Sequence, residues 1–270
     1  MVVRLLIIWG AIAVAIALSL VVHRRRDEDG DELPDYRVVL GFVGSAYGLL
    51  LGLLVVFAVG HYSDARHRAE DEATSLVALY DTVAVYPPEI KNRLRHDLIC
   101  YMRSIVTDEW PSMERGTRTE APRTLAFGDR VRHATRELPV ANERERSAYG
   151  RAVSLITDAG ESRQQLLFFT EPEIPGALWV VIFVGGFLLV LLLAVHYADH
   201  PRGRVIALGS ACLLLTVLVM VLAMLDRPFG PGVRVQPDEM RQAITLLSGG
   251  KGVVLRPCPA SPRAVPAGKR

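Results

Sequence analysis

The chain has 270 residues, half of them hydrophobic, and its 31 basic and 29 acidic residues leave a formal net charge of only +2. Acids and bases are interspersed, which excludes the basic stripe and stacking platform of a nucleic-acid-binding protein. The three cysteines, Cys100, Cys212 and Cys258, form no close pair in the sequence, which argues against a disulfide framework or a zinc knuckle.

The first element is an apolar run, Leu5–Val22, closed by Arg24, Arg25 and Arg26. It is longer than the core of a secretory signal and ends in a stop-transfer pattern, so it reads as an uncleaved anchor. The loop Arg24–Tyr36 gathers Asp27, Glu28, Asp29, Asp31 and Glu32 but lacks the spacing and closing Glu of an EF-hand, and it reads as a solvated hairpin loop. A second apolar run, Val38–Gly60, follows, and two more occur late in the chain, Leu178–Val195 and Val205–Leu225. None of the four contains Asp, Glu, Lys, Arg or His. A hydrocarbon core about 30 Å thick needs roughly 17–25 such residues in a helix, so each run is long enough to span it.

Beyond Gly60 the second run continues as a helix. No Pro occurs from Val38 to Tyr86, and Ala65, Ala69, Ala73, Leu76, Tyr80 and Val83 recur at three- and four-residue steps. Pro87-Pro88 ends it and opens a helix whose stripe is Ile90, Leu94, Leu98, Tyr101, Met102 and Ile105, ending near Trp110-Pro111. Glu114–Pro122 reads as a loop, Arg123–Glu137 as a helix, and Pro139–Phe169 as a longer one with Ala148, Ala152, Leu155, Ala159, Leu166 and Phe169 inward. These narrow, Ala-rich faces suit close helix packing rather than a large core. Trp179 is placed as an interfacial anchor for the third run. A short helix is expected over Asp238–Leu247 and disorder after about residue 249.

The expected architecture is therefore all-α: a polytopic membrane protein of four transmembrane helices. A membrane region over residues 1–60 is followed by a helical extramembrane domain over 61–174, inserted between spans two and three. A second membrane region covers 175–225 and a tail 226–270. The expected location is the cell membrane, multi-pass, with the lipid bilayer as first partner.

Chemistry-bearing motifs are few. Gly41, Gly44, Gly48 and Gly52 stand at helical spacing in span two, forming a groove that either admits another helix closely or lines a narrow pore. Phe42 and Phe57 are candidates for an apolar constriction of such a pore, as are Phe183 and Phe187. Uncharged spans argue against a proton-coupled carrier, which needs ionisable groups along its path. His61 and His196 close spans two and three on opposite membrane faces, so one chain does not bring them to one ion, and no metal or cofactor is expected. Glu70, Asp71 and Glu72 read as a solvated helix face. No hydrolase, P-loop or zinc-protease motif occurs, so an enzyme is not expected.

Tyr62, Ala65-Arg66, Glu72-Ala73 and Leu79-Tyr80, then Leu94, Tyr101, Glu109-Trp110-Pro111 and Met113, then Glu137-Leu138-Pro139, Arg144 and Arg146, and finally Asp226-Arg227-Pro228-Phe229-Gly230 form a set. Together these residues resemble the bacterial bestrophin-like membrane protein family over about Gly41 to Leu247. Glu109, Trp110 and Pro111, with Asp226, Pro228 and Phe229, are its most specific part. The resemblance implies four spans with a helical domain between the second and third, and similarity to bestrophins, pentameric anion channels with a helical cytosolic region. No bestrophin pore motif maps onto this chain residue by residue. The expected function is an oligomeric, passive ion channel built by self-association. The alternative is a membrane-anchored scaffold or sensor whose helical domain binds a protein partner.

Orientation is not decided by arginine counts. Arg24–Arg26, Arg37, Arg202 and Arg204 lie on one side, and Arg4, Arg66, Arg68, Arg227, Arg234 and Arg241 on the other. The resemblance implies a cytoplasmic polar domain, and a free thiol at Cys100 suits that side.

Overall fold

The computed structural model describes residue 10 and residues 37–172, 174–197, 201–230, 232–249 and 257–259. The expected first span Leu5–Val22, the Arg24–Tyr36 loop and most of the tail beyond 249 lie outside the described residues. Among those described, all regular structure is helical. The chain divides into a membrane unit, Met1–His61 with Pro172–Asp226, and a lobe, Tyr62–Glu171 with Arg227–Arg270.

Helix α1, Arg37–Thr82, is 46 residues long. About 20 residues suffice to cross a bilayer, so the rest of this helix belongs to the lobe. Its continuity follows from composition: no Pro interrupts it, and no Gly occurs after Gly60. The inward face shifts from Tyr47, Leu51, Leu54 and Ala58 in the membrane unit to Ala65, Ala69, Ala73, Leu76 and Leu79 in the lobe. The membrane unit is completed by α6, Gly176–His196, and α7, Pro201–Leu225, which pack against each other. These two and α1 are long and apolar enough to cross a membrane.

In the lobe, a 3₁₀ turn at Val83–Val85 leads to α2, Pro88–Ser104. A π turn, Ile105–Glu109, joins it to α3, Trp110–Glu114. Then follow α4, Pro122–Arg136, α5, Glu143–Phe168, and α8, Asp238–Ser248. Pro88 and Pro122 stand at first helical positions, where the missing N–H costs nothing. The chain does not stop at Trp110-Pro111, as expected from the sequence, but stays helical to Glu114. The wider π turn, closed by Trp110 N–H to Ile105 O, lies directly before Pro111, which has no N–H to give to a preceding turn.

Helix α5 starts at Glu143 rather than Pro139, because Asn142 caps it. Asn142 Oδ1 accepts from Glu145 N–H at 2.9 Å, and Glu145 Oε2 accepts from Ala141 N–H at 2.8 Å. Asn142→Ala is expected to cost the lobe about 1 kcal/mol in chemical or thermal unfolding.

Two further expectations are corrected. The lobe does hold a sizeable core of its own: Leu76, Leu79, Leu94, Leu98, Met102, Phe127, Val131 and Leu166 are essentially fully buried and contiguous. The Ala-rich stripes of α1 and α5 supply close approach, and α2 and α4 supply the volume. Cys100 is also not a free thiol. It forms a disulfide with Cys258, with Cα atoms 5.5 Å apart across a sequence separation of 158. Distance along the chain hid this pair, since sequence proximity is no guide to what a tail reaches.

Candidate functional site

In the membrane unit, α1 and α6 meet at Tyr47. Its ring is buried and its hydroxyl donates to Ile182 O at 2.6 Å. The ring lies against Gly185 and Gly186, and a Cβ on Gly185 would fall 2.6 Å from two ring carbons. Between α1 and α6 the close approach is made by α6 glycines receiving a tyrosine. Gly185→Ala is expected to overpack this contact and destabilise the detergent-solubilised protein by about 1–3 kcal/mol. An unchanged melting temperature would refute the tight fit.

The span-two glycines lie elsewhere. Among the described residues, a Cβ on Gly41, Gly48 or Gly52 would meet nothing within 4 Å, and one on Gly44 would touch Leu189 Cδ1 at 3.6 Å. At about 100° per residue, Gly41, Gly48 and Gly52 share one open stripe, turned away from the Tyr47–Leu51–Leu54 face. Phe42 and Phe57 are also exposed, at 74% and 62%. They project about 120° and 180° away from Gly48 on the same helix. The glycines and the phenylalanines therefore occupy different faces, and a pore lined narrowly by one set is not lined by the other.

His61 shares a cavity of about 160 Å³ with Leu54, Phe57, Ala58, Leu178, Leu225 and Asp226. Asp226 is fully buried and accepts from Ile174 N–H at 2.9 Å, tying the end of α7 to the segment that enters α6. No group of three His, Cys, Asp or Glu suited to a metal occurs among the described residues.

The lobe holds a buried charge cluster. Glu72 on α1 and Arg163 on α5 form an ion pair at 3.0 Å, with side chains 0% and 1% exposed. Glu109, also fully buried, comes from the π turn, and Tyr101 from α2. Glu109 Oε2 accepts from Ala121 N–H at 2.7 Å, fixing the start of α4. Burial pushes the Glu72 carboxyl up to about 7; Glu109 and Glu120 act in the same sense and Arg163 opposes them. Burial also raises Glu109 above the ordinary carboxylate range, against Arg163 and the Ala121 N–H. Burial disfavours the Arg163 charge, yet Glu72, Tyr101 and Glu109 outweigh it and hold the guanidinium protonated. Such a cluster binds helices to one another and can take up a proton near neutral pH.

Glu72 is a correction to the reading of Glu70–Glu72 as a solvated face: Asp71 faces solvent and Glu70 is half-buried, but Glu72 is interior. A sequence signal existed. Glu72 lies two turns after Ala65 on the inward stripe, and Arg163 lies between Ala159 and Leu166 on the stripe of α5. Opposite charges on two inward stripes point to a pair.

The motif residues at the two ends of the chain meet in part. The Trp110 ring packs edge-on against Phe229 with centroids 5.6 Å apart, and its Nε1–H donates to Val235 O at 3.2 Å. Pro228 is buried beside Phe229, and Pro228 O accepts from Val235 N–H at 2.8 Å. Pro111 is half-buried. These residues close the lobe around the segment after α7.

A family model described as a Bestrophin-like domain matches residues 5–240. Among solved structures, a point variant of a bacterial bestrophin homologue from Klebsiella pneumoniae matches with TM-score 0.70 and 13% identity, over 91% of this chain and 99% of that one. A second Klebsiella pneumoniae bestrophin homologue structure, phased with zinc, gives 0.63 and 12%, over 90% and 95%. A variant described as a membrane protein gives 0.67 and 12%, over 90% and 99%. At these identities the likeness is one of fold. Among curated proteins, none matches the chain by sequence.

Proposed function

The chain belongs to the Bestrophin-like family, and from that membership we propose that it is a multi-pass protein of the cell membrane that assembles with copies of itself around an ion-conducting pore. In this reading four helices cross the bilayer, Leu5–Val22, Val38–Gly60, Leu178–Val195 and Val205–Leu225, and residues 61–174 form the extramembrane domain. The open glycine stripe of α1 faces the pore axis.

The observation that carries the reading is that, among the described residues, nothing covers Gly41, Gly48 and Gly52. Glycine weakens a helix by about 1 kcal/mol relative to Ala. Three on one uncovered stripe make sense where a small surface is needed by something outside the subunit. Uncharged spans fit a passive pore, which needs no ionisable relay. The test is direct: the detergent-purified full chain should run as a ring of subunits and give discrete currents in planar bilayers. A monomer, or a well-folded ring without current, rejects the proposal.

A further inference from the structure

The last described segment of the chain, residues 257–259, is fastened to the lobe by one covalent bond and few other contacts. Cys258 is half-buried between the exposed Pro257 and Pro259, and its partner Cys100 on α2 is 1% exposed. Neither proline has an N–H to give, and both fix their backbone torsion, so the segment arrives stiff and poor in donors. The polar contacts it makes are long: Arg123 Nη2 donates to Pro259 O at 3.5 Å, and Arg103 Nη1 lies 4.0 Å from Cys258 Sγ. Cys258 packs on the edge of a core that is already contiguous through α1, α2, α4, α5 and α8. The bond therefore ties a tail to a finished lobe and does not staple the core.

The two sulfurs differ in their chemistry. A thiolate attacks the sulfur it can reach, which here is Cys258, and the buried Cys100 becomes the leaving group. His96 Nε2 lies 3.6 Å from Cys100 Sγ, where an imidazole N–H can donate to the departing thiolate. The Arg103 guanidinium stands beside Cys258 Sγ in the same way and favours its thiolate in the return reaction. Accessible disulfides with stabilised leaving groups are the labile, exchanging ones. In a reducing cytoplasm, the side that the family resemblance implies for the lobe, disulfides are transient and redox-sensing, and the resting pair is the dithiol.

We propose that Cys100–Cys258 is a thiol–disulfide exchange site for a glutathione-class thiol, entered at Cys258, and that the bond is a latch for the tail. A glutathione thiolate attacks Cys258 Sγ: a new sulfur–sulfur bond forms there, the Cys100–Cys258 bond breaks, and Cys100 leaves as a thiolate that takes a proton. A second glutathione thiolate attacks the glutathione sulfur of the mixed disulfide, and Cys258 leaves and is protonated in turn. The protein disulfide gains two electrons and two protons, and two glutathiones give them up as glutathione disulfide. With the bond gone, the remaining contacts do not hold residues 257–259 and the tail detaches. Glutathione disulfide runs the same steps backwards and closes the latch. The site is independent of whether the protein conducts.

The test uses the full chain purified in detergent. It is oxidised with glutathione disulfide, exposed to reduced glutathione without denaturant, quenched in acid and mapped by peptide mass spectrometry without reductant. The linked Cys100–Cys258 pair should form and then be lost. Cys100→Ser, which lacks the resolving thiol, should keep one glutathione on Cys258 after treatment with glutathione disulfide. The reduced native chain should react with a maleimide at Cys258 as fast in native buffer as in denaturant. Cys212, buried and free, is the internal reference, because its state does not change between the two conditions. Failure of the linked pair to form, exchange only after unfolding, or no glutathione on Cys258 in Cys100→Ser overturns the exchange site. Slow labelling of the reduced Cys258 in native buffer overturns the latch, since the tail then stays docked without its bond.

Discussion

Replacing Arg163 with Met lowers the stability of the lobe by about 3–5 kcal/mol, the usual cost of removing one partner from a buried ion pair. The size of the effect comes from what is left behind. Glu72 and Glu109 are both fully buried, and Arg163 is the cation that offsets both carboxylates within the cluster. The loss also depends on pH, with a definite sign. Burial already raises the folded-state Glu72 carboxyl to about 7, from an ordinary value near 4.5. Between those values the folded state holds more protons than the unfolded state, so the contribution of Glu72 to stability is fully present below about 4.5. It falls as pH rises to about 7 and is flat above. The native lobe should therefore lose stability through that window, and Glu72→Gln should reduce the slope, leaving the part that the raised Glu109 contributes. In the Arg163→Met protein the carboxyls protonate more readily still, so acidification should recover part of the loss. Thermal unfolding of the three proteins at several pH values checks this. Equal destabilisation of Arg163→Met at acid and alkaline pH would show that lost packing, not stranded charge, dominates.

The helices were legible because their signals are local. The uncharged run Val38–Gly60 and the stripe Ala65–Ala69–Ala73–Leu76 together specify one long helix, and the structure has it as Arg37–Thr82. Pro87-Pro88 and Pro122 mark true starts. What was not legible depends on partners remote in the chain. Cys100 meets a cysteine 158 positions away, and Tyr47 finds its glycines on α6 rather than on its own helix. Pro111 was misread as a stop because a π turn can absorb a proline that an α turn cannot. Glu72 was misread from its neighbours Glu70 and Asp71, when its heptad relation to Ala65 carried the information. The glycine stripe on α1 is a different case: helical spacing puts Gly41, Gly48 and Gly52 on one face, and nothing among the described residues covers it.

That open stripe gives the most direct functional test. Gly48→Leu adds a large side chain where nothing among the described residues comes within 4 Å of a Cβ, so its Cβ clashes with no described part of the subunit. Helix propensity even improves by up to about 1 kcal/mol. The folded subunit should therefore be as stable as the native one, and any effect must come from what the stripe meets in the assembly. If it lines a narrow pore, the ring stays intact by detergent sizing or cross-linking while single-channel conductance falls sharply or vanishes. Gly48→Ala, one methyl group at the same point, should leave a reduced current. If instead the stripe is a groove between subunits, Gly48→Leu breaks the ring into smaller species before any current is measured. If it faces lipid, ring and current are both unchanged, and the assignment of this face to the pore fails. Phe57→Ala is the internal control, because Phe57 projects to the opposite side of α1, about 180° from Gly48: its removal should leave conductance near the native value if the glycine stripe forms the narrow wall.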